Sequence, residues 1–388
     1  MTMPVINEPA DIDHCLYWIA LKQVPGIGNR IFKQLMDRFG DPVAVAGAGR
    51  RALLAVEGMT PKIADALCSR LGSGAFTDGV KREYDLICRR GYRLITQSDD
   101  AYPPLLLEIY DPPPYLYAHG RVFDFSPAVA IVGSRNPTAY GISMAKRLGA
   151  DLAAMGLVVV SGMAAGIDAA AHQGALSCGG RTVAVLGSGL MVIYPPENRR
   201  LYRDIVDSGA VVSELPGMEP PNAYNFPARN RIISGMTLGT VVVEAAKKSG
   251  SLITARLAAE QGRDVFAVPG SIRSAKSTGA HSLLKQGAKL VETAGDVVEE
   301  IAYMAAMQKV PGAVGALPPL SDNNASKDLT QAESDVYCLL ESYPVHIDDL
   351  AVKAGMDAGG LLAILLKLEI MGKAVQTPGK FFMSSGEV

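Results

Sequence analysis

The sequence predicts an α/β fold: a Rossmann-like, doubly wound, mostly parallel sheet, placed between a small all-helical N-terminal domain and a C-terminal winged helix. Three observations predict it. From Ala128 to about Ile301, short unbroken runs of Val, Ile and Ala alternate with segments whose apolar residues recur at helical spacing, the pattern of buried parallel strands joined by crossover helices. Before that stretch the spacing is helical and is broken by glycine turns. After a segment rich in Pro, Gly, Ala, Ser and Asn, three helical stretches precede a hairpin pattern.

Residues 1–90 form the expected helical domain. Its spacing is interrupted at Val24-Pro25-Gly26-Ile27-Gly28 and at Glu57-Gly58-Met59-Thr60-Pro61. The first turn, leading into Asn29-Arg30-Ile31, resembles a helix-hairpin-helix, whose turn amides can hold a DNA phosphate; the second is a degenerate copy. Glycines in helical turns are more often structural, and that reading is preferred.

The Rossmann-like domain is expected over residues 91–305. It opens with Tyr92–Thr96 as a strand, a short helix after Asp99–Pro104, and Tyr115–Ala118 as a second strand, a prelude able to extend the edge of the sheet. Strands then follow at Val129–Val132, Leu157–Ser161, Thr182–Leu186, Val211–Glu214, Thr240–Val243, Asp264–Val268 and Lys289–Val291. A linker is expected over residues 306–328, with Val310–Asp328 its most flexible composition. The winged helix occupies residues 329–388. Thr330-Gln331-Ala332-Glu333 is a capping box, His346–Gly355 and Ala358–Met371 are further helices, and Lys373–Gln376 pairs with Lys380–Met383. The helix after Asp357 has almost no basic or amide side chain near its start, where a major-groove reader places them. Protein contact or domain packing is preferred for it over sequence-specific DNA binding.

A chain of 388 residues, 48% hydrophobic and 20% charged, has ample core for two or three domains. Its net charge of −2 gives no global basic signature, so any nucleic-acid contact must come from a local cluster of Lys and Arg. Cys15, Cys68, Cys88, Cys178 and Cys338 are scattered, which argues against a zinc site or a disulfide framework. Met1–His14 lacks the apolar core of a signal peptide, and no apolar run is long enough to span a bilayer. A cytoplasmic protein without membrane partners is expected.

In doubly wound sheets ligands bind beyond the C-terminal ends of the strands, so the candidate site is a set of loops. Gly133-Ser134-Arg135 reads as a turn into a helix N-terminus, with free N–H groups for an anion and the planar donor fork of Arg135 for a phosphate. Ser161-Gly162 opens the next loop, allowing close backbone approach. Gly187-Ser188-Gly189 follows, then Asn225-Phe226-Pro227-Ala228-Arg229-Asn230-Arg231, and then Glu244 to Ser251 with Lys247 and Lys248. Arg135, Arg229, Arg231, Lys247 and Lys248 are expected to form one basic patch with Phe226 among them. Cations for phosphates and a ring for a base are the chemistry of single-strand binding. Gly187-Ser188-Gly189 carries Val192 where a dinucleotide fingerprint needs its third glycine, so NAD and FAD lose support and no cofactor is expected.

The ordered set Gly-Ser-Arg, Ser-Gly-x-Ala-x-Gly-Ile-Asp, Tyr-Pro, Asn-Phe-Pro-x-Arg-Asn-Arg-Ile-Ile and Ser-Gly-Ser-Leu-Ile-Thr-Ala resembles the DNA-processing protein A (DprA, also called Smf) family. The resemblance covers about the whole chain. It implies a non-enzymatic cytosolic protein that binds single-stranded DNA, forms homodimers through the Rossmann-like domain and loads RecA during natural transformation. Carried over by position, the family's DNA pocket falls on Arg135, Phe226, Arg229 and Arg231, with Lys247 or Lys248 as a further match. Gly133, Ser134, Ser161 and Gly162 complete the expected DNA-binding set.

The alternative is a phosphoribohydrolase of the lysine-decarboxylase-like (LOG) type acting on nucleoside monophosphates, whose signature is Pro-Gly-Gly-x-Gly-Thr-x-x-Glu. Here Gly239-Thr240 is retained, Pro-Gly-Gly is absent, and Glu244 stands one position late. A slip of one residue on a strand turns a side chain to the opposite face, which argues against that catalysis.

Overall fold

Every residue of Ala128–Val132 is buried in the computed structural model, as is every residue of Val158–Ser161, Thr182–Val185, Ala210–Ser213 and Gly239–Val242. Strands this apolar need cover on both faces, and helices supply it. The structure describes residues 9–72, 74, 76–121, 125–308, 330–340, 345–371, 373–377 and 379–384. The chain divides into two compact units, Met1–Pro318 and Pro319–Val388.

The first unit begins with α1 (Pro9–Lys22), α2 (Asn29–Phe39), α3 (Pro42–Gly47), α4 (Arg50–Leu53), α5 (Pro61–Leu71) and α6 (Asp78–Arg89). Their core holds Trp18 stacked on Phe32, with ring centroids 5.3 Å apart. The two glycine turns are alike. Ile27 N–H donates to Val24 O and Met59 N–H to Val56 O, both at 3.1 Å, and Gly26 and Gly58 both adopt positive φ (94° and 77°). They also pack reciprocally, Gly26 against Ile63 and Gly58 against Ile31. The second copy thus keeps the turn, with Thr60 as the N-cap that accepts from Ile63 N–H at 3.3 Å.

There follow β1 (Arg93–Thr96), α7 (Pro104–Leu107), β2 (Tyr115–Gly120), β3 (Ala128–Val132), α8 (Ala139–Ala154), β4 (Val158–Ser161), α9 (Ile167–Ser177), β5 (Thr182–Val185), α10 (Arg199–Ser208), β6 (Ala210–Ser213) and α11 (Asn225–Gly235). The unit continues with β7 (Gly239–Val242), α12 (Ser251–Glu260), β8 (Asp264–Ala267), α13 (Thr278–Lys285), β9 (Lys289–Leu290) and α14 (Ala294–Gln308). The strands form one sheet in the order β1-β2-β6-β5-β4-β3-β7-β8-β9. The β1–β2 and β2–β6 pairs are antiparallel and the rest are parallel, so the prelude extends the sheet edge as expected. From β3 the chain steps outward to β6, then returns to β7 on the other flank of β3. Strand order therefore reverses between β3 and β7, where a doubly wound sheet opens its ligand crevice.

The second unit contains α15 (Gln331–Leu339), β10 (Val345–His346), α16 (Ile347–Ala354), α17 (Ala358–Ile370), β11 (Ala374–Thr377) and β12 (Phe381–Ser384), with strand order β10-β12-β11. This is a winged helix around Leu350, Leu361, Leu365, Leu368 and Phe382, and the capping box of Thr330 and Glu333 forms. β10, too short to signal itself in the sequence, adds a third strand. The linker expected over 306–328 starts later than expected, since α14 runs through Gln308, and its remainder lies outside the described residues. So does residues 1–8 of the amino-terminal stretch. Among the described residues no helix is long and apolar enough to cross a membrane.

α8 and α9 cross at very close range. A Cβ on Gly149 would stand 2.4 Å from Ala171 O, and one on Gly174 would stand 2.0 Å from Lys146 O. Alanine gains about 1 kcal/mol over glycine in helix propensity, whereas overpacking against backbone costs about 1–3 kcal/mol or more. Gly174→Ala is therefore expected to lower stability despite its better helix former, as read by urea denaturation; an unchanged or higher midpoint contradicts the close crossing.

Candidate nucleic-acid interface

The loop after β3 is held by a carboxylate from the loop after β7. Glu244, 3% exposed, accepts from Thr138 N–H (2.8 Å) and Thr138 Oγ1–H (2.5 Å), and its carbonyl accepts from Ser134 N–H (2.7 Å). Its charge sits at the start of α8, where the helix dipole favours an anion. Gly141 leaves it room: a Cβ there would lie 2.7 Å from the Glu244 carboxyl carbon. From the other side Ile167 N–H donates to Ser134 O (3.1 Å), and Gly133 fits against the Ile167 side chain. Gly133 and Ser134 thus fix the loop, and Arg135 projects from it into solvent.

Arg135 is not at a helix N-terminus as the sequence reading has it. Pro137 disfavours helix at Asn136, and Thr138 caps α8 by accepting from Gly141 N–H (3.2 Å), so the helix starts at Ala139. The positive character of the loop belongs to the guanidinium itself. That group lies 5.2 Å from the centroid of the Phe226 ring, a cation–π arrangement. Phe226 is in the first turn of α11 rather than in a loop, and its half-buried ring rests on the Gly187 turn, where a Cβ would approach it to 2.7 Å. The exposed Tyr194 ring stands 5.7 Å away, tilted by 46° to it. Lys247 and Lys248 are exposed in the loop after β7.

The remaining expected contacts lie beneath this surface instead of on it. Arg229 is buried; its guanidinium donates to Gly162 O (2.8 Å) and to Val185 O, pinning the ends of β4 and β5. Gly162 is the residue that makes room, since a Cβ would lie 2.6 Å from that guanidinium. Gly162 N–H in turn donates to Asp168 (3.2 Å). Burial pushes Arg229 down to about 10 and raises Asp168, while the opposite charges of the two offset part of each effect. Arg231, also buried, pairs with Glu214 and, at 3.1 Å, with Asp111. Ser161 is fully buried and donates to Ile131 O (2.6 Å). Arg229, Arg231, Ser161 and Gly162 therefore present no free group to a ligand. The reason is position on α11: the turn that leaves Pro227 and Ala228 at the surface carries Arg229 and Arg231 inward.

The sequence reading missed the acidic partners Asp168, Glu214 and Asp111 and the supporting role of Glu244. Asn198 stands in the strand-end loop that the sequence places after Gly187-Ser188-Gly189, and its amide donates to Met163 O (2.8 Å), a bracing contact the sequence does not signal. A usable signal existed: acidic residues closing apolar strands, as Glu214 and Glu244 do, are candidates to pair with cations that cannot reach water.

A family model described as DNA recombination-mediator protein A matches residues 93–302, and one described as the DprA winged helix domain matches residues 321–380. The chain belongs to the DprA/Smf family. It is 35% identical over 392 residues to "Protein Smf" of a Synechocystis strain, covering 94% of this chain and 97% of that protein. It is 48% identical over 206 residues to "DNA processing protein DprA" of Streptococcus pneumoniae, covering 53% of this chain and 73% of that protein. The X-ray structure of DNA processing protein A from Streptococcus pneumoniae superposes with a TM-score of 0.61 at 35% identity, covering 77% of this chain and 99% of that one. The expected family and fold class are thereby established.

Two measurements separate the buried groups from the surface. Arg229→Ala leaves two carbonyls and Asp168 without their cation and is expected to cost about 3–5 kcal/mol of stability; an unchanged melting temperature would return Arg229 to the surface set. His172, buried beneath the same rim, donates through Nδ1 to Thr182 Oγ1 (2.7 Å), whose own proton goes to Val159 O. Burial, reinforced by Arg229, holds His172 down to about 3 from 6.5. Between those values the unfolded chain binds a proton that the folded chain refuses, so stability falls as pH drops below about 6.5, by about 1.4 kcal/mol per unit. His172→Asn is expected to flatten that part of the stability curve.

Proposed function

We propose that the rim over β5, β3 and β7 binds single-stranded DNA without sequence preference, and that the protein acts as a DNA-processing factor in recombination. One observation carries this reading: an exposed guanidinium, Arg135, held over the half-buried ring of Phe226, with two exposed lysines in the next loop. With Arg135 turned to a phosphate, the ring face it covers is open to any base, and the lysines offer further phosphate contacts. A loop backbone fixed by Glu244 and Ile167 lets Arg135 bind without ordering the loop first. Membership of a family described as a recombination mediator supports the further step, transfer of the bound strand to RecA. It also supports a homodimer through residues 91–305, which would set two such rims on one strand with a gain in avidity. In this reading residues 1–90 and 329–388 flank the binding domain, and the protein is a cytoplasmic binding factor, not an enzyme. The hydrolase reading gains nothing from Glu244, whose two carboxylate oxygens are both occupied by Thr138.

Titration of fluorescent single strands and of a duplex of the same length, each at several salt concentrations, tests the proposal; equal affinity for both would sink it. Arg135→Ala is expected to weaken single-strand binding by about 1.5–3 kcal/mol with its melting temperature nearly unchanged. Phe226→Ala is expected to weaken it by about 1–3 kcal/mol while leaving the salt slope as it was, because no cation is lost. Normal binding by a Phe226→Ala protein that melts early would assign the ring to packing alone.

A further inference from the structure

The charged rim does not stop at Lys248. β8 pairs with β7, and the segment after it, 268–277, rises beside the β7 loop. Gly279 N–H donates to Ala245 O (2.7 Å), and a Cβ at Gly279 would lie 2.8 Å from Ala246 O, one residue before Lys247. On its other flank the segment is tied to α8, since Tyr140 Oη–H donates to Pro269 O (3.0 Å). Its neck is closed by His281 Nε2–H donating to Gly270 O (3.0 Å) and by Ser277 packed on Gly270. Ser271 and Ser274 hydroxyls accept from the N–H groups of Arg273 and Lys276 (3.3 Å each) and shape the tip. The tip is exposed, with Ile272 89% accessible beside Arg273. Among the described residues neither Arg273 nor Lys276 has an ion-pair partner. The carboxylates acting on Tyr140 are Glu244, already occupied, and Glu292.

We propose that the nucleic-acid surface continues past Lys247 and Lys248 onto this loop. Arg273 and Lys276 take phosphates of the same strand, and the Tyr140 ring, 42% exposed between Arg135 and the loop, offers a second stacking face. The inference rests on the single-strand reading above. At ~4.8 Å per strand, the ends of β5 and β8 stand about 19 Å apart, so the surface spans several nucleotides instead of one. A loop closed at its neck and tied to both neighbours holds its cations in place before the ligand arrives, which a mobile loop of the same composition would not do.

The test uses the full chain and thymidine oligonucleotides of about 3 and about 25 nucleotides, the shorter one too short to reach from β5 to β8. For the longer strand, Arg273→Ala with Lys276→Ala is expected to reduce affinity several-fold and the salt slope by about 1.4, two phosphates at roughly 0.7 each. The shorter strand, held at Arg135 and Phe226, is expected to lose little. Tyr140→Leu is expected to lower affinity for the longer strand without changing the slope, and Tyr140→Phe, which keeps the ring and loses the Pro269 bond, to retain it. An unchanged slope in the double variant, or an equal loss for both lengths accompanied by early melting, overturns the extension. If Arg135→Ala weakens binding while the double variant does not, only the extension fails; if neither has any effect, the single-strand reading fails with it.

Discussion

A buried guanidinium lies under the rim of the sheet, and much of the surface above depends on it. Arg229 binds the carbonyl of Gly162, just after β4, and that of Val185, the last of β5, so the loops leaving those strands start from fixed points. An arginine in this position carries a large desolvation cost, offset by the two carbonyls and by the charge of Asp168. Because Arg229 comes one helical turn after Phe226, anchoring the first also sets the position of the second. The ring is then left between the Gly187 turn and Arg135, where it is too constrained to collapse into the core.

The same division of labour recurs along the rim. Buried charges do the bracing: Glu244 joins the β3 and β7 loops, and Arg231 joins α11 to Glu214 and Asp111. Exposed cations are left unpaired at the crevice between β3 and β7, where strand order reverses. A cation paired inside the fold contributes nothing to a phosphate, because it is buried and its charge already has a partner. Counting Arg and Lys in the loops therefore overstates the binding charge, and only those the fold leaves unpaired enter the salt dependence.

The helical segment is tied to the sheet by the same currency. Asn29, the first residue of α2, donates to Glu214 (2.7 Å) and accepts from Lys22, so the first glycine turn is fastened beside the Arg231 network. Burial lowers Lys22 and raises Glu83, and Glu83 is met by Tyr117 on β2 and by Gln23 at 2.8 Å. Reciprocal packing of the two turns makes the helices one body. The polar contacts then join that body to the sheet edge supplied by β1 and β2.

The amino-acid sequence by itself determined every strand but β10 to within a residue or two, the helices between them, the two edge strands before β3 and the winged helix, while the crevice between β3 and β7 was set by the strand order of the assembled sheet. The elements follow from periodicity and from runs of Val, Ile and Ala, which are local properties. It also determined that Arg135, Phe226, Lys247 and Lys248 stand in strand-end segments. Tertiary structure alone decided which cations face water. Arg229 and Arg231 look like Arg135 in the sequence, but their fate depends on carbonyls and carboxylates from Gly162, Val185, Glu214 and Asp111, brought together only when the sheet is assembled. The start of α8 was likewise moved to Ala139 by Thr138 and a distant partner, Glu244. A buried charge is stable only with a partner, and partnership between residues far apart in the chain leaves no periodic trace for a sequence reading to find.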